Sequence, residues 1–150
     1  MIDVEVEDEA WAAAIVDVEA VVVAAAEAAL RTVAGAVTIL LADDATVRDL
    51  NARFRGKDRP TNVLSFPAAP MPGVAPEPLG DIVLAYGTCA SEAEAQAKSL
   101  ADHLRHLVVH GVLHLLGRDH ENDAEAEAME AEEREILAGL GVADPYRAVA

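Results

Sequence analysis

The sequence predicts an α+β fold: a small mixed sheet of about four strands packed with about five helices, carrying an HxxxHxxGxxH segment near its end. Short alternating or β-branched runs bounded by turn residues recur four times, and longer Ala-, Leu- and Glu-rich segments with helical stop signals separate them. At 53% hydrophobic residues, a chain of 150 can bury a core without disulfides, so one domain over 1–150 is expected.

Ile2, Val4 and Val6 alternate with Asp3, Glu5 and Glu7, the period of a strand with one wet face. Helix is expected from about Glu9 to Val33, with Asp17 as its candidate break and Gly35 as its stop. Val37 to Leu41 is a buried strand, and Asp43 or Asp44 caps a helix through about Asn51. Thr61 to Phe66 and Asp81 to Leu84 are further strands. Between them, Pro67 to Gly80 holds five of the seven prolines and must be loop, because proline cannot donate to a ladder. Ser91-Glu92-Ala93-Glu94 has the form of a capping box, opening a helix that yields near Ser99 to another reaching Leu116. Asn122 caps a last helix to about Ala138, ended by Gly139 and Gly141.

Composition narrows the function. A single cysteine, Cys89, forms no intrachain disulfide and suits a reducing, cytoplasmic setting. No positive n-region opens the chain, and Asp17, Glu19, Glu27 and Arg31 interrupt the Ala/Val-rich stretch, so neither signal peptide nor membrane association is expected. The aromatics are only Trp11, Phe54, Phe66, Tyr86 and Tyr146, which argues against the stacking platforms of dedicated RNA-binding modules. The net charge of −16 opposes phosphate binding in the sum, but not in its distribution. Five of the eleven basic residues, Arg48, Arg53, Arg55, Lys57 and Arg59, share one short stretch, whereas Asp119 to Glu135 is acidic and reads as a solvated face.

All five histidines fall between His103 and His120. On a helix His110 and His114 stand one turn apart on one face, and Gly117 supplies the left-handed residue that ends the helix and returns His120 toward them. Three imidazoles with one corner left for water are the donor set of a catalytic zinc rather than a structural one. His103 and His106, near the same face, read as non-ligands that satisfy local hydrogen bonds or line the cleft, and Asp119 reads equally as an acceptor orienting an imidazole or as an exposed turn carboxylate. Metzincin proteases share the spacing but place glutamate after the first histidine; here that position is Gly111, which cannot act as a base.

His110-Gly111-Val112-Leu113-His114-Leu115-Leu116-Gly117, followed by Asp119-His120, matches the pattern H-G-x-L-H-L-x-G-x-D-H. With Arg55-Gly56-Lys57-Asp58, Thr61-Asn62-Val63-Leu64-Ser65-Phe66-Pro67 and Leu79-Gly80-Asp81-Ile82, the chain resembles the YbeY family of bacterial endoribonucleases along essentially its whole length. The resemblance implies a compact α+β fold, zinc on His110, His114 and His120 at the end of a cleft, and cleavage of single-stranded RNA. It further implies a role in ribosomal RNA processing, with small-subunit 3′-end maturation and ribosome quality control, and the small subunit or assembly factors as partners. The arginine matching Arg55 is expected to be needed for activity. A guanidinium fork suits a phosphate at two points, and Lys57 and Arg59 are expected to contact substrate. Ser65 is open between facing the cleft and bonding backbone, and no general base is assigned. Two rivals are a metallopeptidase and a non-catalytic ribosome-assembly factor with structural zinc, for which Cys89 is the only candidate fourth ligand of the usual kind.

Overall fold

The computed structural model describes residues 1–146. The chain runs β1 (Ile2–Val6), α1 (Ala10–Ala14), α2 (Val18–Leu30), β2 (Ala36–Ala42), α3 (Asp44–Arg55), β3 (Val63–Pro67), β4 (Pro78–Ala85), α4 (Tyr86–Ala95), α5 (Leu100–Leu115) and α6 (Asp123–Gly139). The sheet has the order β1-β2-β4-β3, with β1, β2 and β4 parallel and β3 antiparallel on the edge. The mixed four-stranded sheet is therefore as expected.

Alternation along the strands divides the core in two. Val37, Ile39 and Leu41 of β2 and Ile82 and Leu84 of β4 join the larger cluster, with α1, α2, α5 and α6. Ala42, Leu64, Val83 and Ala85 face the opposite way onto Val47 of α3, with Leu40, Leu50 and Phe66 at the margin. Trp11, fully buried, anchors the first cluster: its indole donates to Ala42 O at 3.0 Å and its ring meets Tyr86 edge-on.

The first helix breaks at the candidate residue: Asp17 takes φ 53 and separates α1 from α2, giving six helices rather than about five. Several other boundaries differ from the sequence reading. The stop of this helical stretch is not Gly35: α2 ends at Leu30, and Arg31 with φ 55 turns the chain. Helix α3 runs on to Arg55, with Gly56 at φ 68 as its left-handed cap. Ser91 opens no helix. α4 begins at Tyr86, directly after β4, and Asp44 from α3 supplies the acceptor for Thr88 N at 2.9 Å that a local cap would have supplied. The ladder also reaches into the proline-rich segment, pairing Pro67 with Gly80 and Ala36 with Pro78 and leaving a shorter exposed connection. Ser99 and Asn122 do cap α5 and α6, accepting from Asp102 N and Glu125 N.

Gly80 is required by close approach. Its φ is 144, and a Cβ there would lie 2.3 Å from Phe66 O and 2.7 Å from Leu115 Cδ2. Gly80→Ala should lower stability by about 2–4 kcal/mol through backbone strain and overpacking, read as a shifted urea midpoint at unchanged m-value.

Candidate metal centre and cleft

Helix α5 sets the first two histidines, and one glycine lets it do so. A Cβ on Gly111 would stand 3.0 Å from both Ile82 Cδ1 and Cγ2 and 3.2 Å from Ser65 Oγ, so the helix lies close on β3 and β4 at this point. Ser65 Oγ donates to Gly111 O at 3.3 Å and fastens the contact. Position 111 faces the sheet, where any added side chain would press on Ile82.

The helix ends where the sequence indicated. Gly117, at φ 91, donates its N–H to His114 O at 3.0 Å, and Arg118 N reaches Leu113 O at 2.9 Å, the paired bonds of a Schellman turn. The reversal carries His120 back, and the ligand nitrogens of His110, His114 and His120 lie within 4.8 Å of one another. Among the described residues no further His, Cys, Asp or Glu joins the group.

The tautomers test whether these residues suit a cation. His110 Nδ1–H donates to Glu133 Oε1 at 2.8 Å, and His114 Nδ1–H donates to Arg118 O at 3.0 Å. Both acceptors only accept, so each Nε2 carries a lone pair, and the two Nε2 atoms stand 3.0 Å apart. Two lone pairs at that separation repel unless they share a cation. A tetrahedral ion with ligand bonds of about 2.0–2.1 Å would set two donors roughly 3.3 Å apart, close to what is seen. Burial, followed by the neighbouring His110, holds the His114 pKa below its ordinary value and keeps the ring neutral, as a ligand must be.

Glu133 was missed by the sequence reading, which took the acidic run for a solvated face. It is fully buried, and its carboxylate accepts from His110, from Tyr146 OH at 2.6 Å and from His106 Nε2 at 3.3 Å. Burial pushes its pKa up, but the bonds from His106, His110 and Tyr146 outweigh that and hold it down at about 2. A sequence signal existed: Met129, Ile136 and Leu137, four before and three and four after, put position 133 within the buried stripe of α6. Tyr146, whose own pKa is raised by burial and by Glu133, offered no such signal.

His103 and His106 stand outside the three-histidine group and make other hydrogen bonds. His103 is buried and donates to Glu92 at 2.9 Å, while His106 joins Tyr146 and Glu133. Asp119 accepts from His120 N at 2.8 Å and shapes the turn, whereas the group orienting His114 is the Arg118 carbonyl. Cys89 lies outside the histidine group, fully buried; its thiol donates to Asn62 O and burial pushes its pKa up to about 12.

A cleft of about 970 Å³ runs from the histidines along the outer edge of β3 to Asn51, Thr88 and Glu92. Arg55, Lys57 and Arg59 line it, brought there by the reversal at Gly56. Of the basic stretch, Arg48 pairs with Asp58 at 2.9 Å and Arg53 with Asp49 at 3.2 Å. Arg118, also on the cleft, forks onto Glu132. Among the described residues Arg55, Lys57 and Arg59 have no acidic partner within ion-pair distance. Arg55 Nη2 donates to Ser65 O at 2.7 Å, an edge carbonyl that the antiparallel register turns away from β4. The guanidinium is thereby fixed at the cleft wall, and the Ser65 hydroxyl is engaged by the Gly111 carbonyl rather than free.

Fold and site define an α+β protein with three histidines grouped so that they could hold a cation, at the end of a cleft that Arg55, Lys57 and Arg59 line. A family model, endoribonuclease YbeY, matches residues 2–141. Among curated proteins, the endoribonuclease YbeY of Azorhizobium caulinodans is 57% identical over 152 residues, covering 97% of this chain and 95% of its own. That of Rhodopseudomonas palustris strain BisA53 is 55% identical over 139 residues, covering 87% and 81%. The chain belongs to the YbeY family. The solution structure of TM1509 from Thermotoga maritima shares the fold, with a TM-score of 0.58 at 24% identity, covering 99% of this chain and all of that one.

Glu133→Gln should weaken divalent-cation affinity about 10- to 100-fold, measured by competition with a chromogenic chelator, because the amide no longer fixes the His110 tautomer as a carboxylate does. The depressed pKa also has a linkage consequence. Glu133 contributes stability above its unfolded value near 4.5, and this is lost as pH falls toward about 2. In denaturant titrations the acid limb in that window should be shallower for Glu133→Gln than for wild type.

Proposed function

We propose that the chain is a zinc-dependent, single-strand-specific endoribonuclease acting in ribosomal RNA processing, including small-subunit 3′-end maturation and ribosome quality control. Membership of the YbeY family supports RNA hydrolysis. The observation that carries the reading is the pair of Nε2 lone pairs 3.0 Å apart, recessed beside three unpaired cations. An all-imidazole donor set suits zinc, and His110, His114 and His120 would hold it.

When bound, the cation supplies Lewis acidity, activating water and offsetting charge at phosphorus. The chain supplies the rest. Arg55, held by Ser65 O, has further N–H groups for a phosphate oxygen and opposes the negative charge that grows there in the transition state. Lys57 and Arg59 hold neighbouring phosphates against the surplus negative charge elsewhere. Glu133 and the Arg118 carbonyl keep each Nδ1 protonated, so that both Nε2 atoms stay directed at one point. His110 and His114 are half-buried, a depth that a separate strand reaches more readily than a duplex.

The rivals lose support from particular atoms. A peptidase would need a base at position 111, where Gly111 has no side chain and packs closely on Ile82, and a closed structural site would need a fourth ligand, which the buried Cys89 thiol, tied to Asn62 O, does not supply. No helix of the described residues is long and apolar enough to cross a membrane. The lone, buried Cys89 suits a cytoplasmic setting, with the small ribosomal subunit or its assembly factors as partners.

Purified protein, chelated and then restored with zinc, should cleave single-stranded RNA only in the restored state. His114→Ala should lose both metal and cleavage, whereas Arg55→Glu should retain metal and lose turnover by about 10²- to 10³-fold or more. Equal degradation by wild type and both variants would mark the activity as a contaminant and end the proposal.

A further inference from the structure

Phe54 is the most exposed aromatic ring among the described residues, at 64%. It lies on the last turn of α3, one residue before Arg55 and three after Asn51, both of which line the cleft, while Phe54 itself stands outside that lining. Its ring meets Phe66 at 5.5 Å between centroids and 68° between planes. Arg55 Cζ stands 5.7 Å over the Phe66 ring while its Nη2 bonds Ser65 O. The order outward from the cleft is thus Arg55, Phe66, Phe54. Two of the chain's five aromatics meet beside Arg55, one of the three cleft-lining basic residues without an acidic partner among the described residues. Phe66 packs at the margin of the smaller core, but Phe54 covers little of it and turns its ring to water.

We propose that Phe54, buttressed by Phe66, is a nucleobase-stacking subsite beside the cleft, taking an unpaired base of the RNA strand whose phosphate is held at Arg55. This rests on the endoribonuclease reading. A flat, apolar face next to a fixed guanidinium matches a strand that alternates phosphate and π-surface, and any base can use it, because stacking reads no hydrogen-bond pattern. Lys57 and Arg59 follow within the next four residues, so the strand meets positive charge on entering the cleft.

The test is steady-state cleavage of a single-stranded oligoribonucleotide by the zinc-loaded protein. Phe54→Ala and Phe54→Leu should each raise KM about 5- to 100-fold with kcat retained, and Phe54→Trp should restore the wild-type KM. Leucine keeps the apolar volume, so it carries the test even if the alanine variant is unstable. A substrate series with one abasic position walked along the strand should contain one position that costs wild type as much as Phe54→Ala costs, and that costs Phe54→Ala nothing further. A wild type that cleaves RNA with a KM indifferent to both substitutions would overturn the subsite and leave the enzyme reading standing. A wild type that cleaves no RNA would overturn the enzyme reading itself.

Discussion

The contact between α5 and the sheet at Gly111 governs the rest of the molecule. With no side chain there, the helix backbone sits against Ile82 and Ser65, and Ser65 Oγ bonds its carbonyl. One consequence is orientation. Residues 110 and 114 stand on the flank of the helix that overlooks the edge of β3, where the cleft runs. A second is economy of parts. Ser65 holds α5 with its hydroxyl and Arg55 with its carbonyl, so a single strand residue sets the spacing between the histidine group and the Arg55 guanidinium.

Around that contact the protein spends buried charge. Glu133 is a carboxylate in the core, and such a group is tolerated only when its oxygens are satisfied. His110, His106 and Tyr146 satisfy it, and the result is a fixed His110 tautomer. The same helix α6 is acidic elsewhere, including Glu132, which neutralises Arg118 beside the cleft. Net charge thus says little about the site. Local pairing decides which cations remain free for an anion, and among the described residues lining the cleft it leaves Arg55, Lys57 and Arg59.

Parts of the fold were legible because their signals are local. The alternation of β1, the caps at Ser99 and Asn122, and the left-handed glycine at 117 each depend on neighbours within a few residues. The gathering of the three histidines was legible for the same reason: helical spacing and one turn bring them together without help from distant chain. The start of α4 was not, since its cap comes from Asp44, forty-four residues from Thr88. Phe54 was read only through the scarcity of aromatics, which says how many rings there are and nothing of where they meet.

The sequence by itself determined the α+β class, the three histidines, the basic stretch and the family pattern. Tertiary structure alone decided that Glu133, from within an acidic run, orients His110, that Arg55 is pinned by Ser65, and that Phe54 and Phe66 meet beside Arg55. The reason is the range of the interactions. Propensity, capping and helical periodicity act over a turn or two, whereas a buried carboxylate, an edge carbonyl and a ring pair find their partners only once separate elements have packed.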